Sequence, residues 1–244
     1  MTKSKSNMYP DTGTWNPFVG CRYDCVYCRP SFQRQVKRVA GIIGCEKCYN
    51  YEPHTHPERL ETSKIPSKPI VFPCGTGDIA FAEPGYVRRI LEVIDRHQPR
   101  IDKTYYFQSK NPRCFNRYLD WFKENRDKVI LLTTLETNRD QGYHKISRAP
   151  PPSIRFRDFL SLDYSRKAVT IEPVLDFDIK PFLLDLLLLE NQGQGNLEYV
   201  WFGYDSKNTG LPEPDSRKAQ KLVDTLQSYD IEVRGKTLRN VTIG

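Results

Sequence analysis

The chain runs to 244 residues, and its 37 Lys and Arg against 30 Asp and Glu give a formal net charge of +7. That length can bury a full core in one large α/β domain, and the cationic balance suggests an anionic partner such as nucleic acid, against the plainer reading of ordinary solubility charge. The most apolar stretch, PFLLDLLLLEN, is broken by Asp185 and too short for a bilayer, so no membrane-spanning helix is expected.

The opening MTKSKSNMYP lacks the apolar core of a signal peptide, and the seven cysteines follow no secreted-type framework, so a reducing cytoplasm is the expected compartment. Residues 1–12 read as a polar, flexible arm before a single domain over 13–244. GTWNPFVG, from Gly13 to Gly20, is a short extended segment whose Trp15 and Phe18 can wall off what comes next. Next comes GCRYDCVYCRP, with Cys21, Cys25 and Cys28 at i, i+4 and i+7. One short loop with three thiols can gather three sulfurs round one centre, and thiolates are the ligands of iron–sulfur clusters. Three ligands leave one metal position open, as in sites that carry out chemistry. A zinc knuckle and buried, unligated cysteines are the competing readings. After Pro30, SFQRQVKRVAGII spaces Phe32, Val36 and Val39 along one helical face and Arg34, Lys37 and Arg38 along another.

An insertion over 41–67 carries GCEKCYNYEPHTHPERL, in which Cys45, Cys48, His54 and His56 form C-x2-C-x5-H-x-H. All four are good zinc ligands in a stretch without core-forming periodicity, where a metal would replace the missing core. An auxiliary cluster and plain structural thiols are the other outcomes.

From Lys68 onward strands and helices alternate. PIVFPC (69–74) precedes a helix from Pro84 to His97 with Val87, Ile90, Leu91 and Ile94 on one face. TYYFQSK (104–110) precedes a helix from Pro112 to Asn125 with Phe115, Tyr118, Leu119 and Phe122 inward. VILLTTLETN (129–138), a loop with Pro150, Pro151 and Pro152, the helix SIRFRDFLSLDYS and the strand KAVTIEPV (167–174) follow. A Leu-rich helix (179–191), the strand LEYVWFGYDS (197–206) and a helix (215–230) lead to IEVRGKTLRNVTI, a last strand or edge hairpin. The alternation predicts about six βα units around a parallel sheet: an α/β partial (β/α)6 TIM-type barrel, with an open doubly wound sheet as the alternative.

In such barrels chemistry sits at the carboxyl ends of the strands. Those ends here carry Gly75, Thr76, Gly77 and Asp78, then Ser109 and Lys110, then Thr134, Glu136 and Asn138, then Glu172, then Asp205, Ser206 and Lys207. GTGD can also be a tight turn with a helix-leading acid, and Glu172 a structural ion pair, for example with an Arg.

The pattern C-x3-C-x2-C with Tyr27 before its last cysteine resembles the signature of radical S-adenosylmethionine enzymes. With TWNP, HPERL, GTGD, TIEPV and GYDS, the chain from residue 14 to about 206 is similar to a phage- and archaea-associated branch of that family, distantly like spore photoproduct lyase. The resemblance implies a partial barrel and a [4Fe–4S] cluster on Cys21, Cys25 and Cys28, whose free iron binds the amino and carboxylate groups of S-adenosylmethionine. It further implies reductive cleavage to a 5′-deoxyadenosyl radical that abstracts hydrogen from a substrate, and a flavodoxin- or ferredoxin-like electron donor. Gly75–Asp78 resembles the family's glycine-rich motif that holds the methionine amino group, except that Asp78 stands where Glu is common. Ser109, Lys110 and Glu136 fall where the family contacts ribose and carboxylate, and Tyr27 and Glu172 complete the candidate cofactor contacts. For substrate, the basic balance and Tyr49, Tyr51, Tyr105 and Tyr106 lean toward a nucleotide or nucleic acid, with core packing the other use for those rings. A radical enzyme on a small metabolite and a zinc-stabilised nucleic-acid-binding module without turnover are the alternatives.

Overall fold

A computed structural model describes residues 11–191 and 197–244. The arm expected over 1–12 lies outside the described residues up to position 10, and Thr12 already opens the first strand. That strand, β1 (Thr12–Trp15), forms one edge of a seven-stranded sheet. Beside it lie, in order, β4 (Ile70–Pro73), β5 (Thr104–Gln108), β6 (Val129–Thr134), β7 (Lys167–Ile171), β8 (Leu197–Phe202) and β9 (Val233–Gly235), all parallel. Two short strands, β2 (Phe18–Val19) and β3 (His54–Thr55), pair antiparallel outside it.

The helices alternate with the strands as the spacing predicts. They are α1 (Arg34–Ile43) with the short α2 (Glu46–Asn50), then α3 (Pro84–Arg96), α4 (Leu119–Glu124), α5 (Pro152–Leu160), α6 (Ile179–Glu190) and α7 (Ser216–Ser228). Six βα units therefore form, and the tail supplies a seventh strand rather than a hairpin. The expected helix from Pro112 divides into a 3-10 segment, Pro112–Tyr118, and α4.

Strand order decides between the two architectures. It rises monotonically across the sheet, with no point where the direction of winding reverses. Right-handed crossovers then all lie on one face, whereas a doubly wound sheet needs a reversal to cover both. The sheet is accordingly a curled half-barrel. Its outer face packs Val71, Phe107, Leu131, Val169, Ile171 and Val200 against Val87, Ile90, Phe159, Phe182, Leu186 and Leu222 of the helices. Alternate residues fill the concave face without help from any helix: Phe72, Tyr106, Ile130, Leu132, Ala168, Tyr199 and Trp201. Above this plug runs a polar belt, in which Gln108 Nε2 donates to Thr134 Oγ1 (3.1 Å) and Thr170 Oγ1 (3.3 Å).

Two expectations need correcting. On α1 only Val36 and Ala40 are buried; Phe32 (46% exposed) and Val39 lie at the surface with Ile42 and Ile43. The helix rests on the narrow α2 and Tyr51 rather than on the sheet, so it has a partner for only part of its apolar spacing. Of the four tyrosines considered for base stacking, Tyr51, Tyr105 and Tyr106 are buried, and only Tyr49 presents its ring to solvent.

Asp185 in α6 gives a stability prediction. Its neighbours one turn away are Pro181, Phe182, Leu188 and Leu189, and burial pushes its carboxyl up to about 6. The folded chain then holds more protons than the unfolded chain between about pH 4 and about pH 6, so stability falls as pH rises through that window. Asp185→Asn should therefore stabilise the protein at pH 8 by about 1–2 kcal/mol, a full shift discounted for partial solvent screening. Thermal unfolding at both pH values checks this: the gain in Tm should shrink toward zero by pH 4.5, where wild-type Asp185 is itself largely neutral.

Candidate functional site

The carboxyl ends of β4, β5 and β6 converge on two buried acids. Asp78 lies just past β4 and uses both oxygens within the protein. Oδ1 accepts from Ser109 Oγ (2.7 Å) and Ala80 N (3.0 Å), and Oδ2 accepts from Lys110 N (2.9 Å). It thus caps the turn Ile79–Phe81 and ties that turn to the end of β5. The glycines before it allow the chain to approach itself. A Cβ on Gly75 would lie 2.8 Å from Thr14 Cγ2, and one on Gly77 would lie 2.9 Å from Gly20 O, while Thr76 N donates to Asn16 Oδ1 (2.9 Å).

Glu136, past β6, is fully buried and lies at the centre of the site. Its Oε1 accepts from Lys110 Nζ (2.5 Å), from Tyr143 OH (2.9 Å) and from Tyr27 OH, and its Oε2 accepts from Arg155 NH2 (2.7 Å). Burial pushes the carboxyl up, but Arg155 and Lys110 more than offset it and hold the group well below the usual carboxylate range. Arg155 also donates to Thr134 O, and its guanidinium stacks 4.9 Å from the Tyr143 ring centre.

The remaining strand ends do less at this centre. Glu172 accepts from Trp201 Nε1 (2.5 Å) and faces Lys236 Nζ at 3.8 Å, an ion pair with Lys rather than Arg, and burial raises its pKa. Asp205 spends both oxygens on its own turn, accepting from Lys207 N (2.9 Å) and from Thr209 N and Oγ1 (2.6 Å each), while Ser206 and Lys207 are exposed.

The three-cysteine loop follows β2 and is tied to these groups. At its entry Gly20 has φ of +93°, and a Cβ there would fall 2.1 Å from Glu52 O, so only glycine fits. Gly20 N donates to Thr76 O and Asp78 N to Gly20 O, both at 3.3 Å, which joins the loop to GTGD. Its far side is clasped by residues 143–149. Val26 N donates to Ile146 O (2.9 Å), Arg148 N to Tyr23 O (2.7 Å), and Cys25 Sγ lies 3.1 Å from Ser147 Oγ. Cys21 Sγ accepts from Tyr23 N (3.4 Å), and Cys28 is hydrogen-bonded to the Tyr51 side chain. Burial pushes the Cys28 thiol up to about 11, with Cys25 adding to the rise and Tyr51 and Lys110 opposing it. Cys21 is raised further, first by burial and then by Asp78, Cys25 and Cys28. Tyr51 lies under the field of all three sulfurs. Cys21, Cys28, Cys25 and Tyr27 also share one packing cluster with Tyr23, Tyr143 and Leu175.

The second cysteine pair gathers as the spacing suggested. One ligand atom each from Cys45, Cys48, His54 and His56 lies within 4.8 Å of every other, a group that could hold a metal ion. His54 Nε2 is 3.4 Å from Cys45 Sγ and 3.3 Å from Cys48 Sγ, and His56 Nε2 is 3.2 Å from Cys48 Sγ.

Arg155, Tyr143 and Ser147 escape a sequence reading, although Arg155 had left a trace. Pro152, Arg155 and Phe159 are the buried positions of α5, so the arginine occupies the apolar stripe at helical spacing. An arginine there demands a buried acid. Tyr143 opens the short 3-10 turn Tyr143–Lys145 and Ser147 follows it, too short a stretch for any periodicity to expose them.

Fold and site together define the class: a parallel half-barrel α/β protein of partial TIM-barrel type, an architecture common among enzymes, with a Cys2His2 group in an inserted loop. No family model matches the chain, and no curated protein matches it. Among the described residues no helix is long and apolar enough to cross a membrane.

Proposed function

We propose that the protein is a radical S-adenosylmethionine enzyme, with Cys21, Cys25 and Cys28 holding a [4Fe–4S] cluster. The observation that carries this reading is the placement of a three-thiol loop over the carboxyl ends of a parallel half-barrel, with Tyr27 of that loop bonded to Glu136 at a strand end. The donor set fits the group. Three sulfurs on one loop leave a fourth position free, and the Tyr23 amide and the Tyr51 hydroxyl already donate toward Cys21 and Cys28, as donors tune cluster sulfurs.

When bound, the cluster and S-adenosylmethionine supply one-electron cleavage of the sulfonium and hydrogen abstraction from a substrate. The chain's own residues bind, orient and exclude water. Lys110, with Glu136 fixing its ammonium, offers a cation to a carboxylate, and the Gly75–Asp78 turn, Ser109 and Glu172 complete the candidate contacts. Glu136 orients Tyr27, Lys110 and Tyr143 together, while Trp15 and Phe18, expected to wall the loop, are buried in the helix-side core instead. A nucleotide or nucleic-acid substrate is supported by the net charge and by exposed Arg34, Lys37, Arg38 and Tyr49 beside the loop, with Lys37 Nζ 5.8 Å from the Tyr49 ring centre.

Anaerobically reconstituted, chemically reduced protein should convert S-adenosylmethionine to 5′-deoxyadenosine and methionine, read by chromatography. A cluster-loaded, reducible sample that forms neither product would overturn the proposal.

A further inference from the structure

The Cys45, Cys48, His54 and His56 group is separate from the strand-end site, and the spacing of its ligand atoms suits a single tetrahedral ion. With Zn–S about 2.3 Å and Zn–N about 2.0–2.1 Å, adjacent sulfur and nitrogen ligands of a tetrahedron stand about 3.6 Å apart. Three of the four sulfur–nitrogen separations here are 3.2, 3.3 and 3.4 Å, already near that value, and the fourth is within 4.8 Å. Both rings are oriented for metal. His54 Nδ1 donates to Glu52 O (2.7 Å), an acceptor that fixes the proton on Nδ1 and leaves the Nε2 lone pair directed at the sulfurs. His56 Nδ1 bonds Glu58 Oε1 (2.7 Å), the carboxylate–histidine pairing found behind zinc ligands. Cys48 N donates to Cys45 Sγ (3.2 Å). Two thiolates would balance a dication, so a zinc ion held with the buried Cys48 (3% exposed) and His56 (7% exposed) would leave the group without net charge.

We infer that this group is a structural zinc(II) site that braces the three-cysteine loop. Binding releases the two thiol protons to solvent and forms two Zn–S and two Zn–N bonds, with no change of oxidation state. The brace is visible in the chain. Val19 pairs with His54 and Phe18 with Thr55, His56 N donates to Pro17 O (2.6 Å), and Cys21 N donates to Tyr51 O (3.4 Å). Each of those partners lies within the zinc loop, and each contact fixes the segment that enters Cys21. The site itself needs no iron, so it stands apart from the reading of Cys21, Cys25 and Cys28; the role assigned to the brace rests on that reading.

Elemental analysis of the full chain expressed with zinc should find about one zinc per chain. A Cys45→Ala/Cys48→Ala variant should lose at least tenfold of it, and a Cys21→Ala/Cys25→Ala/Cys28→Ala variant should retain it. Cobalt(II) added to metal-stripped wild-type protein avoids dependence on a variant that folds poorly: it should give the ligand-field bands and thiolate charge-transfer absorption of a tetrahedral S2N2 site, displaced by zinc. Hydrogen exchange of segments 17–21 and 51–56 should slow at least tenfold on zinc addition. Zinc retained in the Cys45/Cys48 variant, or octahedral cobalt spectra, would overturn the site. Unchanged exchange at a zinc-loaded site would overturn the brace. Failure to form 5′-deoxyadenosine would touch neither result.

Discussion

Arg155→Ala should destabilise the folded protein by about 3–5 kcal/mol, the cost of breaking a buried ion pair by removing one partner. Arg155 and Glu136 are both fully buried, so the carboxylate left behind cannot reach water on that side. Lys110 remains bonded to Oε1, but Oε2 and Thr134 O lose their donor together. Glu136→Gln should cost a similar amount for the mirror reason, since it strands a guanidinium among Tyr143 and the strand ends. Replacing both, with Arg155→Ala and Glu136→Gln, should cost less than the sum of the two single changes, because neither charge is then left alone. Urea unfolding of the four proteins measures this cycle. An Arg155→Ala protein within about 1 kcal/mol of wild type would show that the pair is hydrated and the strand-end cluster looser than described.

The second large effect falls on the cysteine loop. Cys28→Ala should take iron in the reconstituted protein from about four atoms per chain to near none, and 5′-deoxyadenosine formation down at least a hundredfold with it. Cys21→Ala and Cys25→Ala should behave alike. Cys74→Ala and Cys114→Ala are the controls: Cys74 is buried in the helix-side core and Cys114 packs against it, so both variants should keep iron while losing some stability. Iron and sulfide analysis on the five variants separates the loop from the other thiols. Equal iron loss from all five would point to general misfolding instead.

Much of the fold is legible in the sequence because a parallel sheet writes it plainly. VILLTT is buried at all six positions, and Val87, Ile90, Leu91 and Ile94 fall on the core face that their spacing assigns. Where spacing misleads, the cause is the size of the partner. Phe32 and Val39 share a helical stripe with Val36, but α1 lies on a five-residue helix that covers only Val36 and Ala40. At the site, identity was readable and arrangement was not. The strand ends presented Asp78, Lys110 and Glu136 as candidates, but which acids keep a free oxygen depends on the tertiary partners. Asp78 accepts from Ser109, Ala80 and Lys110, and Glu136 from a helix residue 19 positions away as well as from Lys110, Tyr27 and Tyr143. The Cys and His spacing in the insertion pointed to a metal. It could not show that Glu52 and Glu58 orient the two rings.

The central proposal is that Cys21, Cys25 and Cys28 would hold a [4Fe–4S] cluster beside Lys110 and Glu136. Electron paramagnetic resonance of the reduced, reconstituted chain, recorded with and without S-adenosylmethionine, addresses it directly. A [4Fe–4S]+ signal that shifts when the sulfonium ligand is added is expected, with a smaller or absent shift in a Lys110→Met variant that still holds its iron. A cluster signal identical in both conditions, or a protein that binds no iron while its zinc site is full, would contradict it.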